Sequence, residues 1–269
     1  MDNRIPTPRV QGTTARLQSS QLRPGRRYLV LTAVLAFHPL AATAQTVTLP
    51  APGHQPGVIR WWEGAIVLGG LSGLMLLDRP AQRFAQLNRS ETGDDVAHGF
   101  RHFGQPEVYG TITLGLLGAG LISGDHEITR AGGRLATTLV LAGTASTLAK
   151  LTFGRPRPSE SLDADGYVPF SGQEAMPSGH TTMAFALATS LADDIHRTWA
   201  SVGLYTVATG VAWSRVNDNK HWLTDVAAGA VLGITSAKLV SGRWRIFNLR
   251  TPHFLVGPGQ ATVAWSFTF

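Results

Sequence analysis

The 269-residue chain contains no cysteine. Disulfides, thiolate nucleophiles, Cys-ligated zinc and iron–sulfur clusters are therefore excluded in any compartment, and an exported form would be held together by packing alone. Charge is also scarce: Asp, Glu, Lys and Arg make up 15% of the residues, against about 25% in an ordinary soluble domain. A hydrophobic share of 43% rules out a disordered chain, and 30 glycines point to closely packed helices. No apolar run reaches the ~20 residues that a bilayer crossing usually needs.

The formal charge of +6 resembles a nucleic-acid signal but is not spread over the chain. Residues 1–44 hold six basic groups (Arg4, Arg9, Arg16, Arg23, Arg26, Arg27) and one acid, Asp2. The remainder has 17 basic and 16 acidic groups. A nucleic-acid partner is not expected.

Arg23, Arg26 and Arg27 precede the apolar run Tyr28 to Phe37, and Ala42-Thr43-Ala44 follows with the small-x-small pattern of signal peptidase sites. Residues 1–44 therefore read as an export signal cleaved after Ala44, with an uncleaved anchor as the alternative. Six apolar stretches follow, near 61–77, 108–123, 135–149, 181–192, 199–213 and 223–239. Their Ala, Leu and Gly content and their lengths predict helices. Each is short for a span, and the loops between them mix Arg with Asp and Glu without a clear bias, which favours a compact bundle. Helices with no charged face have little to show to water, however, which keeps membrane insertion open.

The expected organisation is an all-α bundle with a short β-hairpin at its end. Residues 45–107 form an N-terminal linker and accessory helix, with 78–107 a polar connection; 108–240 form the core; 241–269 form the hairpin. In that last segment Phe254 to Val256 pairs with the alternating tail Ala261 to Phe269 across a Gly-Pro-Gly turn.

Three clusters carry chemistry. In Lys150-Leu-Thr-Phe-Gly-Arg-Pro-Arg157-Pro158 a helix ends at a lysine and the chain turns, presenting cations suited either to an oxygen-rich anion or to a helix C-terminus. In Pro177-Ser178-Gly179-His180 a serine stands at the N-cap of an apolar helix. Its free N–H groups form an anion site, and a histidine follows that is able to give a proton. In Ser214-Arg215-Val-Asn-Asp-Asn-Lys-His221-Trp-Leu-Thr-Asp225 another cation precedes a histidine and an aspartate on one helical face. There the carboxylate would orient the imidazole and leave its other nitrogen free to attack. No third ligand joins His180 and His221, and His98 and His102 lack the Glu of H-E-x-x-H, so neither a metal nor any other cofactor is expected.

These three clusters, K-x6-R-P, P-S-G-H and S-R-x5-H-x3-D in this order, resemble the signature motifs of the type 2 phosphatidic acid phosphatase (PAP2) and vanadium haloperoxidase superfamily at all eleven fixed positions. The resemblance covers roughly residues 108–240. It implies a helical core and metal-independent hydrolysis of phosphate monoesters. His221 would attack phosphorus to give a phosphohistidine, Asp225 would orient it, and His180 would protonate the leaving alkoxide. Lys150, Arg157, Ser178, Gly179 and Arg215 would bind the phosphate oxygens. The partner it implies is a phosphorylated lipid or a small phosphate ester, met at a membrane surface or within the membrane. Asn219 stands where relatives often have glycine, and Asn tolerates the left-handed turn required there. Arg155 is extra to the signature, either a second phosphate contact or a solvated charge.

Two other functions share this signature: a vanadate-dependent haloperoxidase, and a non-catalytic envelope component that keeps the cradle for binding and docks through its C-terminal strand to an outer-membrane partner. A binding site needs the cations but has little use for an oriented nucleophile and a separate acid, which favours catalysis. Chain parity also bears on location. An export signal delivers residue 45 outside, so three spans before Pro158 would leave the first two motifs inside. Relatives with lipid substrates usually work on the periplasmic face, so the expectation is an exported, periplasmic bundle, with an integral inner-membrane protein as the alternative.

Overall fold

The computed structural model describes residues 28–36, 57–246, 253–257 and 260–268, with side chains described within 57–246. The expected cleavage site at 42–44, nearly all of the 45–57 linker and the turn at 258–259 lie outside the described residues.

Eight helices are present among the described residues: α1 (Trp61–Met75), α2 (Asp78–Leu87), α3 (Glu91–His102), α4 (Pro106–Ser123), α5 (His126–Phe153), α6 (Gly179–Ile195), α7 (Thr198–Asn217) and α8 (Leu223–Val240). The all-α expectation holds, and each of the six apolar stretches is a helix. The 78–107 segment departs from the reading as a mere connection, because it folds into α2 and α3. Its apolar residues are few, but its capping signals are good. Ser90 accepts a hydrogen bond from the Gly93 N–H at 3.1 Å, acids occupy the first turn of α3, and Arg101 and His102 occupy its last. Helix α5 also starts nine residues earlier than its apolar run, because Asp125 caps it by accepting from the N–H groups of Glu127 and Ile128.

Short strands close the two ends of the chain. Strands β1 (Tyr28–Ala36), β4 (His253–Gly257) and β5 (Gln260–Thr268) form an antiparallel sheet in the order β1-β5-β4, while β2 (Gly57–Ile59) pairs in parallel with β3 (Trp244–Ile246). The expected C-terminal hairpin is β4–β5. The apolar run read as the heart of an export signal is β1, paired with β5 from Tyr28↔Thr268 to Ala36↔Gln260.

Helix α6 packs between α5, α7 and α8. The core is small-grained. Leu135, Leu139, Ala142, Ala186 and Leu187 form one buried cluster between α5 and α6, and Ala184, Ala188, Ala208 and Val211 form another between α6 and α7. Small residues let backbones touch: a Cβ on Gly229 would lie 2.7 Å from the Ser178 carbonyl oxygen, and one on Gly233 would overlap the α6 backbone at Thr182 and Ala186. This close crossing fixes the start of α8 against the start of α6, which is what the site requires.

The two ends of the bundle differ. At one end lie the end of α5, the start of α6, the end of α7, the start of α8, and α2 with α3. At the other lie β2–β3, the α4–α5 turn and the ion pairs Arg134–Asp194 (2.6 Å) and Lys238–Asp193 (2.6 Å).

Candidate active site

All eight expected site residues converge at the first of these ends. Lys150 stands in the last turn of α5, and its Nζ donates to the Glu174 carbonyl at 2.5 Å. Its Cε lies 3.9 Å from where a Cβ on Gly179 would stand, which places the lysine side chain beside the start of α6. The chain then turns sharply at Gly154 (φ 53°), where any side chain would overlap the Val168 carbonyl. Arg157 follows, half-buried, within electrostatic reach of Lys150 and Arg215.

Ser178 occupies the N-cap of α6, as expected, but its hydroxyl does not cap the helix. Its Oγ instead accepts from Thr181 Oγ1 at 3.0 Å. The Ser178 N–H donates to the Asp225 carbonyl at 3.0 Å, which ties α6 to α8. The N–H groups of Gly179 and His180 are left for an anion, as helix geometry dictates. Arg215, near the end of α7, is almost fully buried. One guanidinium nitrogen donates to Asp218 at 2.9 Å, while its Nε is buried without a partner. His180 lies within electrostatic reach of Lys150, Arg215 and His221.

His221 is buried in the turn between α7 and α8. Asn219 takes φ 56° there, the left-handed conformation expected of it, and its Oδ1 accepts from Gln82 of α2 at 2.9 Å. The expected orienter is displaced. His221 Nδ1 is 2.7 Å from the Ala175 carbonyl and 3.7 Å from Asp225 Oδ2. A carbonyl only accepts, so Nδ1 carries the proton and Nε2 carries the lone pair. Asp225 is engaged elsewhere: Oδ2 accepts from the Trp222 N–H at 2.8 Å and Oδ1 from Arg155 at 2.6 Å. Burial lowers the His221 pKa below the ordinary imidazole value, with Asp225 pulling the other way.

Sequence reasoning misplaced Arg155, which neither reaches the phosphate site nor meets water. It is fully buried between Asp225 and Asp78. It also missed Asp78, since no motif marks a carboxylate at the start of α2, and Arg101 of α3. Arg101 stands at the mouth of the site, 3.6 Å from the same Asp218 that holds Arg215. The clustering of Arg79, Arg83, Arg89 and Arg101 between acids was the available signal for a folded segment there.

The helix ends thus bring together three cations, a helix N-terminus and two imidazoles, groups whose chemistry suits an oxygen-rich anion. Residues 131–248 match the profile of the PAP2 superfamily. The chain is 39% identical over 108 residues to the lipid A 1-phosphatase of Porphyromonas gingivalis; the match covers 39% of the chain and 22% of that relative, so well under two thirds of the relative's length is spanned. Two solved structures share the fold. Aquifex aeolicus LpxE has 21% identity and a TM-score of 0.50, with 61% of this chain and 94% of that one covered. The transmembrane PAP2-type phosphatidylglycerolphosphate phosphatase of Bacillus subtilis has 22% identity and a TM-score of 0.54, with 66% and 92% covered.

Proposed function

We propose that the protein is a membrane-embedded lipid-phosphate phosphatase that works through a phosphohistidine on His221. The observation that carries this reading is the His221 tautomer: with Nδ1–H committed to a carbonyl, the Nε2 lone pair is free among Lys150, Arg157, Arg215 and the start of α6. Nε2 attacks phosphorus, the P–O ester bond breaks, and the leaving alkoxide takes a proton from His180. Water then gives its proton back to His180 and attacks phosphorus, the P–N bond breaks, and inorganic phosphate leaves with His221 neutral again. The cations and N–H groups stabilise the charge on the equatorial oxygens throughout, the main task in phosphoryl transfer.

Embedding is supported by what the helices expose. Helix α1 has no buried residue, with Trp61 76% exposed, and the ends of α4 and α7 expose Ile122 at 91% and Trp199 at 77%. Helices α5 and α8 are long and apolar enough to cross a membrane. Soluble bundles rarely show apolar surface on this scale.

The ends of the bundle bear on parity. The described segments at the end opposite the site (57–60, 124–134, 193–197 and 238–246) hold 7 Lys and Arg against 4 Asp and Glu, while those at the site end (78–107, 150–180 and 215–225) hold 9 against 11. A basic excess marks the cytoplasmic side. In this reading Arg60 and the end of α8 lie on the cytoplasmic side, and the site opens on the periplasmic face.

The test is phosphate release by the full chain in detergent with EDTA, comparing a lipid phosphate with a water-soluble aryl phosphate and with His221→Ala as control. Lipid hydrolysis that survives EDTA and disappears in the variant supports the reading. Preference for the aryl ester overturns the lipid assignment, and an active His221→Ala overturns the mechanism.

A further inference from the structure

Arg155 is a buried cation that phosphate binding does not use. Its guanidinium divides its donors three ways: Nε to the Ala164 carbonyl at 2.9 Å, one terminal nitrogen to Asp225 Oδ1 at 2.6 Å, the other to Asp78 Oδ2 at 2.5 Å. Its Cζ lies 5.2 Å from the Tyr167 ring centroid and 5.4 Å from that of Trp222, so aromatic faces cover it. Asp78 reaches past it: Oδ1 accepts from both the N–H (2.8 Å) and the hydroxyl (2.9 Å) of Thr224, the residue before Asp225. All three ionic side chains are fully buried.

We propose that Arg155 and Asp78 are positioning residues that act on His221 through Asp225, by holding the carboxylate in place and setting how much of its negative charge the imidazole feels. The inference rests on the phosphohistidine reading. A carboxylate in a dry interior needs a partner charge, and a guanidinium cannot give up its own. One guanidinium is shared by two carboxylates, so it offsets only part of the charge on Asp225. That charge lies behind the imidazole, which becomes positive when Nε2 bonds phosphorus and Nδ1 keeps its proton. The split fork also fixes direction. Arg155 takes Oδ1 and the Trp222 N–H takes Oδ2, which leaves the His221 side of Oδ2 facing Nδ1 at 3.7 Å.

The signs follow. His221 is faced by Asp225 of α8, Lys150 of α5, Arg215 of α7 and His180 of α6. Loss of the Arg155 charge leaves Asp225 less offset, favours the imidazolium and moves the acid limb of kcat/KM to higher pH. Loss of the Asp78 charge leaves Arg155 undivided on Asp225, disfavours the imidazolium and moves the limb to lower pH. A purely structural role gives no such opposition.

The experiment measures kcat, KM and the pH profile of kcat/KM for Arg155→Gln, Arg155→Lys and Asp78→Asn in detergent, on a lipid phosphate that the wild type hydrolyses, with thermal unfolding alongside. The expected result is KM within about twofold of wild type, kcat about 100-fold lower in Arg155→Gln, partial recovery in Arg155→Lys, and acid limbs displaced in opposite directions. A KM increase at unchanged kcat would place Arg155 in phosphate binding and overturn the inference, as would acid limbs that do not move. If Arg155→Gln does not fold, Asp78→Asn decides: a limb at lower pH supports the inference and an unmoved limb overturns it. An active His221→Ala, by contrast, removes the phosphohistidine reading beneath it.

Discussion

At the residue scale, the site depends on which hydrogen bond each ionisable group makes. A spacing of four residues put His221 and Asp225 on one helical face in the sequence, but His221 precedes α8 and its Nδ1 proton goes to the Ala175 carbonyl. No sequence pattern announces a carbonyl from a loop 46 residues away. As the proposed nucleophile His221 must be neutral, and burial lowers its pKa. The acid limb of kcat/KM due to His221 is therefore expected below about 6.5, the ordinary imidazole value. A pH profile of the wild type on a lipid phosphate checks this; a limb at or above that value would mean that the Asp225 attraction outweighs desolvation. Arg215 is a second case. Its fork serves Asp218 with one nitrogen, while its Nε is buried without a partner. Arg215→Lys, which keeps charge but not the fork, is expected to lower kcat/KM by about 10–100-fold, as measured by initial rates.

At the element scale, the helices were legible because composition and length suffice to show them: all six apolar stretches are helices, with boundaries extended by caps such as Asp125. Helices α2 and α3 were not legible. They carry few apolar residues, and what holds them is long-range: Gln82 to Asn219, Gln86 to the carbonyls of Val216 and Asn217, and Asn217 to Asp94. Helices α6 and α8 cross in close backbone contact. Gly233→Leu is expected to separate these helices, costing about 1–3 kcal/mol, and to lower kcat as well, because the Ser178–Asp225 link lies at the same crossing. Gly203→Ala, with open space at its Cβ, is the matched control and is expected to leave both unchanged. Thermal unfolding and kcat, measured together, check the pair.

At the scale of the whole molecule, the motifs suggested the proposed chemistry, but sequence order could not say which loops share an end of the bundle. The loops therefore looked mixed in charge until the fold sorted them. The absence of cysteine makes sidedness directly measurable. In intact cells, a cysteine at Glu160 is expected to react with a membrane-impermeant thiol reagent, and one at Arg197 only after the membrane is opened. The reverse pattern would place the site in the cytoplasm, and equal labelling in intact cells would mean an exported, unembedded bundle. The central claim is the covalent intermediate, and it is tested most directly by quenching the full-length protein during turnover of a lipid whose phosphate is radiolabelled. The account predicts acid-labile, base-stable label on the wild type, located at His221 by peptide mapping and absent from His221→Ala. Turnover dependent on His221 without label in any quenched sample, or label on another residue, would contradict it.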